Sequence, residues 1–291
     1  LDEAKRYFKM SADKGNEIAK KYYDEIVEND NEILEIANSF LNNMSILINN
    51  PISIRNQLKA NADSGHTMSI MIYAFNLETG RFGSVDHEEA ARYYKIAADQ
   101  GYSPGYYKYG MKLYLGQGVP KNVKKAIHYI KKSSDMGHEH AMNAYGLFLE
   151  RGTGIAKNMS EACRYYKLAA DKNLCFGMNN YAIMLYKGEV IPKNYEEAFH
   201  YFQRAAAKDS VSQYNYAVML QNGFGTEVNK EEACRFYKLA ADNCDTNAMR
   251  AYAYMLENGH GTTKNQDEAN RYYEMANDNK NIQNTLDYLM I

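Results

Sequence analysis

With 291 residues, a formal net charge of −2 and 45% hydrophobic residues, the chain has ample apolar material for a large core. It has no bulk charge to draw it to nucleic acid. No run of 18 or more apolar residues occurs, so no membrane-inserted helix is expected. Four cysteines are too few to staple a secreted scaffold of this size, which points to a reducing, cytoplasmic setting. Cys163 and Cys234 then read as small packing residues, with Cys163–Cys175 or Cys234–Cys244 bridges as the alternative.

Residues 2–15 (DEAKRYFKMSADKG) carry a helical pattern, and Leu1 falls inside it, so the chain reads as starting partway through a protein. A second helix is expected over Asn16–Glu28 and a long apolar one over about 31–48, with Ile36, Phe40, Leu41, Met44 and Leu47. Asn50-Pro51 then marks a fresh start, because Pro suits the first helical position after an Asn cap. Residues 1–65 thus read as a partial repeat with an inserted helix, either packed on the outside of the array or docking a partner.

From 66 to 278 the chain repeats. Alanines stand at Ala90, Ala126, Ala162, Ala198, Ala233 and Ala269, spaced about 36 residues apart. The same phase recovers Tyr73, Tyr109, Tyr145, Tyr181, Tyr216 and Tyr252. Leucines follow four residues after each tyrosine, and glycines at Gly80, Gly116, Gly152, Gly188, Gly223 and Gly259. Each unit reads as helix, turn, helix. The first helix sets a small residue, Tyr, a small residue and Leu on one face, as in Ala141, Tyr145, Gly146 and Leu149. Glycine ends it in the left-handed conformation. The second helix starts at Asp86, Asn122, Asn158, Asn194, Asn229 or Asn265, with Glu three residues on in an Asn/Asp version of the capping box; only Lys125 breaks the pattern. Paired aromatics such as Tyr93-Tyr94 and Tyr165-Tyr166 fill these second helices. A helix pair of this size cannot bury its apolar face alone and must stack on its neighbours. The expected fold class is all-α: an α/α solenoid, a right-handed superhelix of about 36-residue helix-turn-helix repeats. Residues 279–291 are expected to form a C-terminal helix of an incomplete repeat.

Segments such as EAARYYKIAADQG, AMNAYGLFLERGTGIAKNMSEACRYYKLAADKN and EEACRFYKLAADN resemble Sel-1-like repeats, relatives of the tetratricopeptide repeat. The resemblance implies a scaffold or adaptor that binds a protein or peptide, with no chemistry of its own. It also implies that residues just off the Tyr/Leu seam of the first helices line a concave groove. Those are Met71 and Glu78; Tyr107 and Tyr114; Asn143, Glu150 and Arg151; Phe176, Asn179, Tyr186 and Lys187; Tyr214 and Gln221; Arg250, Tyr254 and Glu257. Phe75, Leu147, Ile183 and Val218 share the stripe and read as packing between first helices. An architectural subunit of a large, multi-subunit assembly, such as a cytoskeletal one, held through its convex face and ends, is the alternative.

Catalytic constellations are not recognisable. The histidines are scattered, and His138-Glu139-His140 is the tightest pair, but i,i+2 residues do not share a helix face. No metal site, cofactor or nucleic-acid partner is expected. The Gly-x-Gly pieces recur once per repeat, so they read as turns and not as phosphate cradles. Asp99, Asp135, Asp171, Asp242 and Asp278, near second-helix ends, read as partners of turn amides in the next unit. Lys124, Lys125, His128, Lys131 and Lys132 form a basic patch on one face of a second helix, either solvated or holding an acidic peptide, a phosphate or an anionic surface. The sequons at Asn43 and Asn158 read as accidental, Asn158 being committed as a cap.

Overall fold

The structure, a computed structural model, describes residues 51–286, and the side chains of 55–277. The helices expected over 2–15, 16–28 and 31–48, and the apolar end at 289–291, lie outside the described residues. Two compact units divide the chain, Leu1–His138 and Glu139–Ile291. The described residues form helices joined by turns, with no strand among them. The first unit holds α1 (Pro51–Asp63), α2 (Thr67–Glu78), α3 (His87–Asp99), α4 (Ser103–Leu115) and α5 (Val123–Asp135). The second holds α6 (Glu139–Arg151), α7 (Met159–Asp171), α8 (Cys175–Lys187), α9 (Tyr195–Ala205), α10 (Ser210–Asn222), α11 (Lys230–Asp242), α12 (Thr246–Asn258) and α13 (Gln266–Leu286). Within each unit, helices adjacent in sequence pack on one another in order.

The turn inside each repeat is closed by one residue. Oδ1 of Asp86, Asn122, Asn158, Asn194 or Asn265, and likewise of Asn229, accepts the backbone N–H three residues on at 2.9–3.1 Å, capping the second helix. The same residue's own N–H donates at 2.8–3.0 Å to the carbonyl of the column leucine nine residues earlier, an otherwise orphaned group at the first helix's end. This corrects the expected capping box. The cap N–H is already taken, so the Glu three residues on has nothing to close. It turns instead to an arginine, as in Arg92–Glu89, Arg164–Glu161 and Arg235–Glu232, or to the cap amide, as in Asn194–Glu197 and Asn265–Glu268.

An edge-to-face aromatic pair joins the two helices of each of the six repeats. Tyr73–Tyr93, Tyr109–Tyr129, Tyr145–Tyr165, Tyr181–Tyr201, Tyr216–Phe236 and Tyr252–Tyr272 all meet at centroid distances of 4.8–5.2 Å and 80–89°. Each such pair adds about 0.5–1.5 kcal/mol beyond its buried area. Fully buried alanines on the same helices, such as Ala90, Ala126, Ala162 and Ala198, let the backbones approach. The second glycine of the Gly-x-Gly turns sets the spacing between repeats: a Cβ on Gly118, Gly225 or Gly261 would fall 1.9–2.2 Å from the carbonyl oxygen of His87, Tyr195 or Lys230, the first residue of the preceding second helix.

Two further expectations are revised and a third is met. Asp99, Asp135, Asp171 and Asp242 do not hold turn amides but each pair with the lysine four residues earlier at 2.6–3.3 Å, which lies on the same helix face, and the Asp278 side chain lies outside the described ones. Asp242 also accepts the Tyr272 hydroxyl of the next repeat at 2.8 Å, as Asp63 does that of Tyr93. The C-terminal segment is not a separate helix from 279, because α13 runs unbroken to Leu286. Position 280 is Lys where Gly65, Gly101 and Gly137 stop the earlier second helices at positive φ. Lastly, Cys163, Cys175, Cys234 and Cys244 are all free, with Cys163 and Cys234 buried as packing residues.

Cys244 stands in that same stop position at φ 65° and is exposed. A side chain there is strained where glycine is not. Cys244→Gly should therefore raise unfolding stability by about 0.5–1 kcal/mol, measured by denaturant melts; a loss of stability would contradict the assignment.

Candidate functional site

The first-helix stripe of the second unit is the candidate site. Positions seven residues apart lie two turns up one helix face. The stripe on α8 therefore runs Phe176, Asn179, Ile183, Tyr186–Lys187, with equivalents on α6, α10 and α12. Successive first helices are tied side by side by an amide row: Asn180 Nδ2 donates to Asn143 Oδ1 at 2.9 Å, and Asn215 Nδ2 to Asn179 Oδ1 at 2.8 Å. The Asn180 and Asn215 halves of this row were not foreseen. They sit one residue off the candidate column, and only the separations of 37 residues from Asn143 and 36 from Asn179, about one repeat, give them away.

The stripe is apolar in its middle and open at its ends. Leu147, Ile183 and Val218 pack partly buried against the core, as expected. Phe176 is 53% exposed and Tyr254 47%, and Arg151 and Lys187 are exposed too. Val211, on α10 at the position of Phe176 on α8, is 46% exposed and joins them; it was not among the expected residues. Asn143, Tyr214 and Arg250 are half-buried, with the Tyr214 ring 5.7 Å from Tyr237. Asn179 is buried.

One column of candidates is occupied within its own repeat. The second-helix hydroxyls of Tyr94, Tyr166, Tyr237 and Tyr273 donate to Glu78, Glu150, Gln221 and Glu257, each sixteen residues earlier, at 2.5–3.1 Å. In the two remaining repeats the second-helix residue is Ile130 or Phe202, with no hydroxyl, and the first-helix partner position is Tyr114 or Tyr186. The variation from unit to unit at this column thus follows an internal rule: an acceptor where there is a donor, a ring where there is none. Tyr114 is buried in consequence, and Tyr186 packs half-buried against Tyr195 and Phe224 at 5.3 and 5.8 Å.

In the first unit the stripe is largely internal. Met71 is buried. The Tyr107 ring stacks on His138 at 5.1 Å, and burial, with the nearby Glu78 charge, pushes its hydroxyl up to about 12. Glu78 accepts from the Tyr94 hydroxyl and pairs with Lys112 at 2.6 Å, while Lys112 also reaches Gln117 at 3.1 Å. Burial would raise the Glu78 carboxyl, but the Lys108 and Lys112 ammonium groups and these hydrogen bonds hold it below the usual range. Lys112 is itself buried, a charge tolerated only because it is paired and hydrogen-bonded.

On α5 the five basic residues are all exposed. Lys131 pairs with Asp135 at 2.7 Å, and the Lys132 ammonium sits 4.4 Å from the centre of the Tyr106 ring. Among the described residues, no cluster of three His, Cys, Asp or Glu side chains is disposed to hold a metal ion, and no helix is long and apolar enough to cross a membrane.

Helix pairs of similar length, each closed by one cap and joined by one aromatic pair, define an α/α repeat protein. The Sel1 repeat model matches residues 1–16, 69–102, 103–138, 139–174, 176–210, 210–243 and 246–281, and the chain belongs to the Sel1 repeat family. The unmatched 17–68 includes the stretch where the sequence period breaks. Such proteins generally mediate protein–protein interactions and are typically non-enzymatic scaffolds. A search by sequence among curated proteins matched none of them. Among solved structures, the chain is similar to a Sel1 repeat protein from Oxalobacter formigenes, at 25% identity over 74% of this chain and 89% of that one, TM-score 0.69. It also shares its fold with a protective antigen of uropathogenic Escherichia coli strains, at 23% identity and TM-score 0.67. That match covers 77% of this chain, which spans only 48% of the antigen.

The donor–acceptor rule is testable by exchange. Tyr166→Phe alone should cost about 1–2 kcal/mol by leaving the half-buried Glu150 carboxylate short of a donor. Adding Glu150→Tyr, which recreates the Phe202–Tyr186 combination, should recover most of the loss; additive losses in the double variant would refute the rule.

Proposed function

We propose that the chain is a protein-interaction scaffold whose partner surface is the first-helix stripe of residues 139–258, and that the partner presents an extended peptide segment. One observation carries the reading. Of the five exposed large hydrophobic residues among the described residues of the second unit, Phe176, Val211 and Tyr254 all fall on this stripe, although the core is complete without them. Exposed apolar anchors beside Arg151, Lys187 and the half-buried Arg250 have the make-up of an interface centre, where aromatic residues and arginine dominate binding energy. Exposed apolar residues gathered on one face mark an interaction site more often than scattered ones do.

Size decides between partner types. From Phe176 to Lys187 the stripe runs roughly 16 Å, and four first helices at roughly 10 Å spacing span about 30 Å. That is roughly 500 Å², short of the roughly 800 Å² per partner of a stable globular interface. A peptide laid across the helices fits the area, with the stripe's asparagines and tyrosines available to its backbone.

Phe176→Ala, Arg250→Ala and Tyr254→Ala combined should deplete bound partners at least about tenfold in affinity capture with mass spectrometry, with the melting temperature within about 2 °C of the parent. Unaltered partner recovery, or a protein that unfolds, would defeat the assignment.

A further inference from the structure

Between Asp99 and Asp135 the chain carries seven lysines and no carboxylate. The anomaly centres on α5. The other second helices of the six repeats begin with carboxylates in the first turn: Glu88 and Glu89 on α3, Glu161 on α7, Glu196 and Glu197 on α9, Glu231 and Glu232 on α11, Asp267 and Glu268 on α13. These favour the positive end of the helix dipole. On α5 the same two positions hold Lys124 and Lys125, and the arginine that pairs with Glu89, Glu161 or Glu232 is replaced by His128. Two cations thus sit where the helix dipole repels them, both exposed and neither joined to a carboxylate. Folding alone would favour glutamate at Lys125, as in the five sister repeats.

We propose that the Lys124–Lys132 face of α5 is a docking surface for an acidic, Asp/Glu-rich segment of a partner protein. Lys124, Lys125, His128 and Lys132 run about 12 Å along one helix face, the span of about four residues of extended chain. Alternate carboxylates of such a chain lie about 6.6 Å apart, close to the roughly 6 Å rise between residues four apart on the helix, as from Lys124 to His128 and from His128 to Lys132. Width argues against larger polyanions. On α3, the neighbouring second helix of the same unit, Glu88 and Glu89 occupy the positions equivalent to Lys124 and Lys125, and they repel a duplex or an anionic membrane broader than one strand. The patch is also built of lysine and histidine without arginine, the residue suited to bidentate phosphate contact. This surface lies on a second helix and does not depend on the first-helix stripe.

The test is fluorescence anisotropy of the full chain with a labelled peptide of about twelve residues alternating Glu and Ser. Saturable binding should be seen at about 50 mM salt and fall about tenfold or more by about 300 mM, as screening shortens the reach of exposed charges. Lys125→Glu with His128→Arg, which copies the sister repeats, should abolish binding while raising the melting temperature by about 1–3 °C. The combined Phe176, Arg250 and Tyr254 variant should bind this peptide as the parent does. Binding that survives Lys125→Glu/His128→Arg, or a lowered melting temperature in that variant, would overturn the proposal. So would association with phosphatidylserine vesicles or duplex DNA but not with the peptide. Peptide binding seen only after the six carboxylates of residues 24–35 are changed to amides would overturn it in favour of the chain's own acidic run.

Discussion

Six times among the described residues a single asparagine or aspartate serves two helices at once. Its side chain caps the helix that follows, and its backbone N–H satisfies the leucine carbonyl of the helix before. Neither helix of a pair, at about 13 residues, is long enough to be stable by itself in water. The shared residue fixes the angle at which they return on each other, and that angle brings the column tyrosine edge-on to the aromatic of the second helix. Caps cost little sequence, one residue per repeat. Most of the remaining regularity follows from the geometry they impose: alanines where backbones meet, and a side-chain-free glycine where a turn rests on the preceding helix's first carbonyl.

That dependence explains which features are legible in the sequence. Local relations are: the cap column, the glycine stops, the Tyr/Leu seam and the all-α repeat fold are set by spacings of three to nine residues. Relations between distant residues are not. The Tyr166–Glu150 bond joins positions sixteen apart and the Tyr272–Asp242 bond positions thirty apart, and helical periodicity says nothing about either. The capping box failed for a related reason: the glutamate was in place, but a carbonyl nine residues upstream had already taken the donor it would have met. Periodicity also gives the face of a helix without its depth. Met71 and Phe176 share a stripe in sequence, yet one is buried and the other half in solvent.

The internal pairing rule changes how irregular positions should be weighed. Glu78, Glu150, Gln221 and Glu257 vary among repeats, and variation within a regular array suggests a surface shaped to an irregular partner. Here the variation is compensated inside each repeat, donor against acceptor or ring against a side chain without a hydroxyl, so it carries information about packing. The same holds for Lys112. Its column continues as Phe148, Met184, Met219 and Met255 in the second unit, and the first unit reaches an equivalent filled core by a different route, an ion pair with Glu78 inside a hydrogen-bonded network. Replacing such a pair as a whole can be neutral, whereas removing one partner strands a buried charge.

What remains after compensation is subtracted is the irregularity that folding does not explain. Phe176, Val211 and Tyr254 are apolar and exposed without any packing debt to the core. Lys124 and Lys125 sit against a helix dipole that five sister repeats complement with acid. The two groups differ in energetics: apolar anchors gain from desolvation and control how long a partner stays, while exposed lysines act over about a Debye length and control how often it arrives. In an array where each repeat leans only on its neighbours, a locally unfavourable choice destabilises one junction and leaves the others intact. A repeat protein can therefore hold a mildly strained, charged helix in one unit and an apolar stripe in another. Stability is supplied by the columns that repeat, and recognition by the few positions where a sister repeat would have served folding better.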